Sequence, residues 1–181
     1  MASSGPNLPT AATASATAPY DDINWTEPQK IYLDGQAAIT TSSFDINLYS
    51  YQIRATGFGF SISPGSTIAG ITVTVNRKYA NGAVKDAQIQ LTKDGTSAAG
   101  DNKSAGSTWT TAPTSVNFGG TSDLWNTSWT AAEVNASTFG VLFACQAAAN
   151  DADAYVDYIT VTVEYIDTPV QSQGKYNVQI I

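Results

Sequence analysis

Asp151, Asp153 and Asp157 fall within one short stretch, Asp151-Ala-Asp153-Ala-Tyr-Val-Asp157. Oxygen-rich runs of this kind hold Ca²⁺ when their spacing closes a cage. This spacing completes no calcium-loop pattern, and acids in a polar loop are common, so no metal is expected. The single cysteine, Cys145, ends the apolar run Phe139-Gly-Val-Leu-Phe-Ala-Cys145. There it reads as a small buried hydrophobe. A thiolate nucleophile needs an activating base, and the chain has no histidine. The same absence excludes Ser-His-Asp and Cys-His arrangements and zinc sites built on Cys and His. A lone cysteine also forms no internal disulfide. No spaced glycine fingerprint between a strand and a helix is present to cradle phosphate. A glycosidase needs two opposed carboxylates across a cleft, and no strand-and-turn pattern here selects such a pair. The chain is therefore expected to be no enzyme, with no catalytic residue and no cofactor.

The tryptophans are the other chemically expressive residues. Trp25, Trp109, Trp125 and Trp129 all lie in polar, loop-like stretches. Exposed, they would stack on sugar rings, which keeps a glycan among the partners. Buried, they would plug the ends of a core, since an indole covers a large apolar area. Trp125 and Trp129, four apart, fit plugs better, and Trp25 is placed to anchor the N-terminal segment.

The elements that must position these residues are strands. Ile53 and Ala55, then Phe58 and Phe60, alternate with small or polar residues. Ile71, Val73 and Val75 alternate with Thr72 and Thr74, the period of a half-buried strand. Ile89 and Leu91 do so against Gln88, Gln90 and Thr92. Phe139, Val141, Phe143 and Cys145 share one face, as do Ile159, Val161, Val163 and Tyr165. Ser63-Pro64-Gly65, Asn81-Gly82, Asp94-Gly95 and Gly119-Gly120 are turn signals between them. One helical turn is expected at Thr130-Ala-Ala-Glu133, whose Thr and Glu stand at capping-box spacing. Many short strands with turn pairs indicate an all-β, antiparallel, jelly-roll-like sandwich over residues 20–166.

The two ends read differently. Residues 1–19 hold no charge and little apolar bulk, so they are expected to form an extended arm, disordered in isolation. Fully extended, that arm would reach roughly 60 Å. After Ile166, Pro169 and Gly174 break the pattern, and Tyr176, Val178 and Ile180 alternate with polar residues. This C-terminal tail (residues 167–181) reads as one more strand, able to fold back or to pair with another subunit's sheet edge. Pro6, Leu8, Pro9, Trp25, Tyr176, Val178 and Ile180 are accordingly the candidate assembly contacts.

Charge narrows the partners. Charged residues make up 13% of the chain, against roughly 25% in average soluble domains. A charge-poor surface suits packing against neighbours, because burying a charge is costly, and it equally suits extracellular β-proteins. The net charge is −7 with scattered bases, which argues against nucleic acid, since phosphate contacts need a positive face. No stretch has the length to span a membrane, no secretory signal is read at the N-terminus, and a cytoplasmic origin is expected. The three Asn-X-Ser/Thr triplets at Asn24, Asn126 and Asn135 then read as coincidences.

Phe58-Gly-Phe60-Ser-Ile-Ser-Pro64-Gly-Ser-Thr-Ile68-Ala-Gly70-Ile-Thr-Val-Thr-Val75 resembles the FGFSIPxGATIxGIxVxV segment of sandwich proteins from tailed bacteriophages. The resemblance continues through Asp86–Gly95, Gly119–Trp125, Trp129–Val141 and Asp157–Tyr165, and leaves out both ends. One departure is Ser63 at the usual proline position, with Pro64 following. The resemblance implies a virion component assembled in the host cytoplasm. A capsid decoration (cement) protein comes first, and a tail, baseplate or head-fibre part second. Its implied partners are the major capsid protein and neighbouring copies of itself, as a homo-oligomer with a trimer favoured.

Overall fold

Alternating apolar residues settle the two longest strands, and the rest of the molecule is arranged around them. The computed structural model describes residues 1–32, 35–40 and 42–167. In chain order the strands are β1 Ala2–Asn7, β2 Ala11–Ser15, β3 Trp25–Thr26, β4 Ala38–Thr40, β5 Gln52–Thr56, β6 Thr67–Tyr79 and β7 Val84–Thr92. They continue as β8 Ala98–Ala99, β9 Thr114–Gly120, β10 Gly140–Ala147 and β11 Ala154–Ile166, with a 3-10 turn at Pro28–Tyr32 and one helix, α1 Ala131–Asn135. The first sheet has the order β3-β4-β11-β6-β9, with β1 also on β11, and the second has β2-β5-β10-β7-β8. All pairings within both sheets are antiparallel. The two packed sheets make an all-β sandwich, as the alternation requires.

Ile71, Val73 and Val75 of β6 and Ile159, Val161 and Val163 of β11 are buried from one side. Ile53, Ala55, Ile89, Leu91, Val141, Phe143 and Cys145 are buried from the other. Burial pushes the Cys145 thiol up to about 12, so it stays protonated as packing. Phe58, Phe60 and Phe139 form an edge-and-stack cluster with Trp129 at one end. Phe58 and Phe60 sit in a non-strand segment, where Gly57 and Gly59 take φ of +73° and +68°.

The turn signals have separate outcomes. Asp94-Gly95 closes the β7–β8 hairpin, with Asp94 Oδ1 accepting from the Thr96 and Ser97 N–H groups. Asn81-Gly82 instead carries the chain from one sheet to the other, because β6 and β7 belong to different sheets. Gly82 has φ +61°, and a Cβ there would stand 2.5 Å from the Asn150 carbonyl oxygen. The helical turn has its capping box: the Glu133 N–H donates to Thr130 Oγ1 and the Thr130 N–H to Glu133 Oε2.

The expected free arm is overturned by the backbone. Residues 2–7 add to β11, with Ala2 opposite Tyr165 and Asn7 opposite Val161. Residues 11–15 add to β5, with Ala11 opposite Thr56 and Ser15 opposite Gln52. Composition counted the side chains available for burial, and these are indeed few. What holds the segment is main-chain hydrogen bonding to two strand edges, which small residues serve as well as large ones. The expected tail lies outside the described residues from 168 onward, Tyr176, Val178 and Ile180 included.

Three carboxyls are held below their usual range. A Lys93 hydrogen bond is the main cause for Glu133, a Lys103 hydrogen bond for Asp123, and the Ser97 and Thr96 N–H groups for Asp94. A carboxyl lowered on folding adds stability that is complete above its unfolded value near ~4 and fades as pH falls through the lower folded value. Urea midpoints are therefore expected to agree at pH 7 and pH 5.5 and to decline below about pH 4. The decline should be shallower in Glu133→Gln.

Candidate interaction surfaces

The outer face of the first sheet is built from the residues that alternate with its core. Thr72 stands opposite Thr162 and Thr74 opposite Thr160 across the β6–β11 pair. Asn117 of β9 lies across from Thr74 and accepts a hydrogen bond from its hydroxyl at 2.8 Å. Tyr158 shares a 2.8 Å hydrogen bond with Ser115. These groups floor a groove of about 550 Å³, and Pro6 and Leu8 form its wall. Leu8 is 37% exposed, one of few large apolar side chains open to solvent among the described residues. Two expected contact residues thus meet on one surface, although they reach it as part of a strand and its exit. Pro9, the third, is buried.

Trp25 belongs to the core. It is 3% exposed, donates from Nε1 to the Tyr51 carbonyl at 2.9 Å and packs near Phe143. Trp109, Trp125 and Trp129 are 4%, 0% and 7% exposed. All four tryptophans act as plugs, so none of them offers an open ring to a sugar.

The acids are engaged separately. Asp153 accepts from Ser43 Oγ and Asn81 Nδ2 and so staples two loops. Asp157 accepts from the Gly35 N–H at 3.0 Å. Among the described residues no group of three acids, cysteines or histidines converges for a metal.

The outer face of the second sheet carries a polar network that sequence reading passed over. Gln52 Nε2 donates to Gln88 Oε1 at 2.8 Å, and Gln88 Nε2 donates to Gln90 Oε1 at 2.9 Å. Arg54 ties in from the side, donating to Gln52 Oε1 and Thr17 Oγ1. Leu142 and Ala144 of β10, between these strands, are buried although they point away from the core. The signal was present in the spacing of Gln88 and Gln90, which alternate with core residues. Its meaning depends on Gln52 two strands away.

At the β9 side of the sandwich lies the one buried ion pair among the described residues. Arg77 on the inner face of β6 holds Asp86 of β7 with a two-pronged contact, Nε to Oδ1 at 2.8 Å and Nη2 to Oδ2 at 2.6 Å. Trp109 Nε1 donates to the same Oδ1 at 2.8 Å, and its ring lies 5.1 Å from the guanidinium carbon. Arg77 and Asp86 are 5% and 3% exposed. A β-bulge at Ala87 makes this possible, because β7 shifts register between Asp86 and Gln88. The freed Ala87 carbonyl accepts from Asn102 Nδ2 and Ser104 Oγ, so the loop after β8 is stitched over the bulge. The pair joins the two sheets.

No family profile matches the chain, and no match is found among curated proteins or solved structures.

Proposed function

We propose that the protein is a structural component of a tailed-phage particle, a capsid decoration protein that binds the outer shell and neighbouring copies of itself. The observation that carries this reading is the groove face of the first sheet, a flat floor of Thr, Asn and Tyr flanked by Pro6 and Leu8. Uncharged hydroxyls and amides lose less on leaving water than charges do. Hydrogen bonds such as Thr74–Asn117 already fix their geometry, so docking costs little side-chain entropy. The likeness of residues 58–75 to phage sandwich proteins points the same way. The self-contacts belong to the same reading: many weak contacts per particle multiply into slow release.

Titration onto undecorated shells tests it. Thr74→Lys with Thr160→Lys places two charges on the groove floor and should lower shell affinity at least ~10-fold. Wild-type occupancy by that variant would place the contact elsewhere. Saturable binding to a glycan array, with no binding to shells, would overturn the reading.

A further inference from the structure

β9 is the outermost strand of the first sheet, and among the described residues it pairs with β6 alone. Such an edge presents main-chain N–H and C=O groups in a row. Proteins that remain monomeric blunt it with lysine, proline, shortness or a covering loop. Thr114-Ser-Val-Asn-Phe-Gly-Gly120 is seven residues with neither a charge nor a proline. The other edges differ: β3 and β8 have two residues each, β1 contains Pro6, and β2 has five residues. Beside the β9 edge opens a recess of about 300 Å³, lined by Val116 and Phe118 of β9 and by Lys103, Ala105 and Ser107, with Arg77 and Asp86 also on its wall. A strand added to β9 would set its own alternate side chains over this recess.

The geometry points to the C-terminal run Tyr176-Asn-Val-Gln-Ile-Ile181 of a second copy of this chain as that strand, an inference that rests on the self-association in the proposed function. The run has six residues, and Tyr176, Val178 and Ile180 share one face at period two. It carries no charged side chain, and β9 itself has none, so the pairing strands bring no charge of their own; the charged groups at the recess are already paired, Lys103 with Asp123 and Arg77 with Asp86. Eight residues (168–175) separate it from the end of the described chain, a reach of about 26 Å when extended. Thr168 precedes Pro169, and a residue before proline is biased away from helical conformations. Each copy then offers one edge and one strand, a heterologous contact that forms a ring where the rotation closes and a filament where it does not.

Two full-length variants test this. Val178→Pro removes a main-chain donor from the strand, and Ala105→Trp fills the recess beside the edge. Far-ultraviolet circular dichroism spectra matching wild type, with cooperative melts, establish that both are folded. Light scattering is expected to show wild type self-associating, each variant alone at the mass of one chain, and their equimolar mixture at two. Amide exchange in β9 should slow at least tenfold in that mixture relative to either variant alone. Variants that keep the wild-type mass overturn the assignment of the edge. A single-chain wild type whose β9 protection is lost on Val178→Pro overturns the second copy in favour of the same chain. Shell binding separates this from the wider reading: two variants that complement each other without binding shells leave the strand exchange standing and remove the capsid. Full shell occupancy by both variants without complementation does the reverse.

Discussion

Asp86→Ala is expected to lower the stability of the fold by about 3–5 kcal/mol, among the largest effects of any single substitution outside the apolar core. The loss is not the value of the pair. It is the cost of leaving the Arg77 cation 5% exposed between two sheets with no counter-charge, and of leaving Trp109 Nε1 without its acceptor. Arg77→Met should cost a similar amount by stranding the carboxylate. Arg77→Met combined with Asp86→Asn removes both charges and keeps an oxygen for Trp109, so it should be more stable than either single variant. Urea midpoints at unchanged slope measure this coupling. Additive losses would mean that the charges act independently, through water or through flexible neighbours. The cation lies against the Trp109 and Phe118 rings, which replace part of its lost hydration but no part of its counter-charge.

This pair also marks where reading the sequence stops. In β7, Ile89 and Leu91 announce an inward face, and strict alternation would then turn Asp86 outward with Gln88 and Gln90. The bulge at Ala87 inverts the phase, so Asp86 enters the core while Gln88 stays on the outer face of its sheet, where the glutamine network buries it. Nothing local at Ala87 signals the bulge; the stitching comes from Asn102 and Ser104, in a loop more than ten residues on. The same limit applies in β11, where a register shift between Val156 and Tyr158 turns Asp157 and Tyr158 to one side. By contrast β6, the regular half of β11, the capping box at Thr130 and the buried Cys145 were legible, because each depends on neighbours within a few residues. Trp25 was placed by its polar surroundings in sequence, yet burial of an indole is decided by what the fold brings to it, here Phe143 and the Tyr51 carbonyl. Of the groove, Pro6 and Leu8 were named from the sequence as contacts, but its floor required the pairing of β6 with β11.

Deleting residues 2–15 is expected to destabilise the fold itself. A dispensable arm would leave the melting temperature unchanged. Here the segment pairs at four register positions on β11 and five on β5. At a net ~0.5 kcal/mol for each of these paired positions the loss is about 4–5 kcal/mol. For a chain of this size that lowers the melting temperature by roughly 8–20 °C. Side-chain burial adds less, since Pro9 and Ala12 are the buried residues of this segment. The deletion also bares the edges of both β11 and β5, so the variant should aggregate on heating where the full chain does not. Ser4→Pro and Thr13→Pro distinguish the two strands, because proline removes a ladder donor wherever the N–H faces the partner. A truncated protein that melts with wild type, and stays soluble, would mean that both strands are detached in solution. Their role would then return to that of an arm. Loss of the fold on deletion would instead confine the search for a tether to the residues after Asp167, leaving Leu8 and Pro6 as fixed walls of the groove.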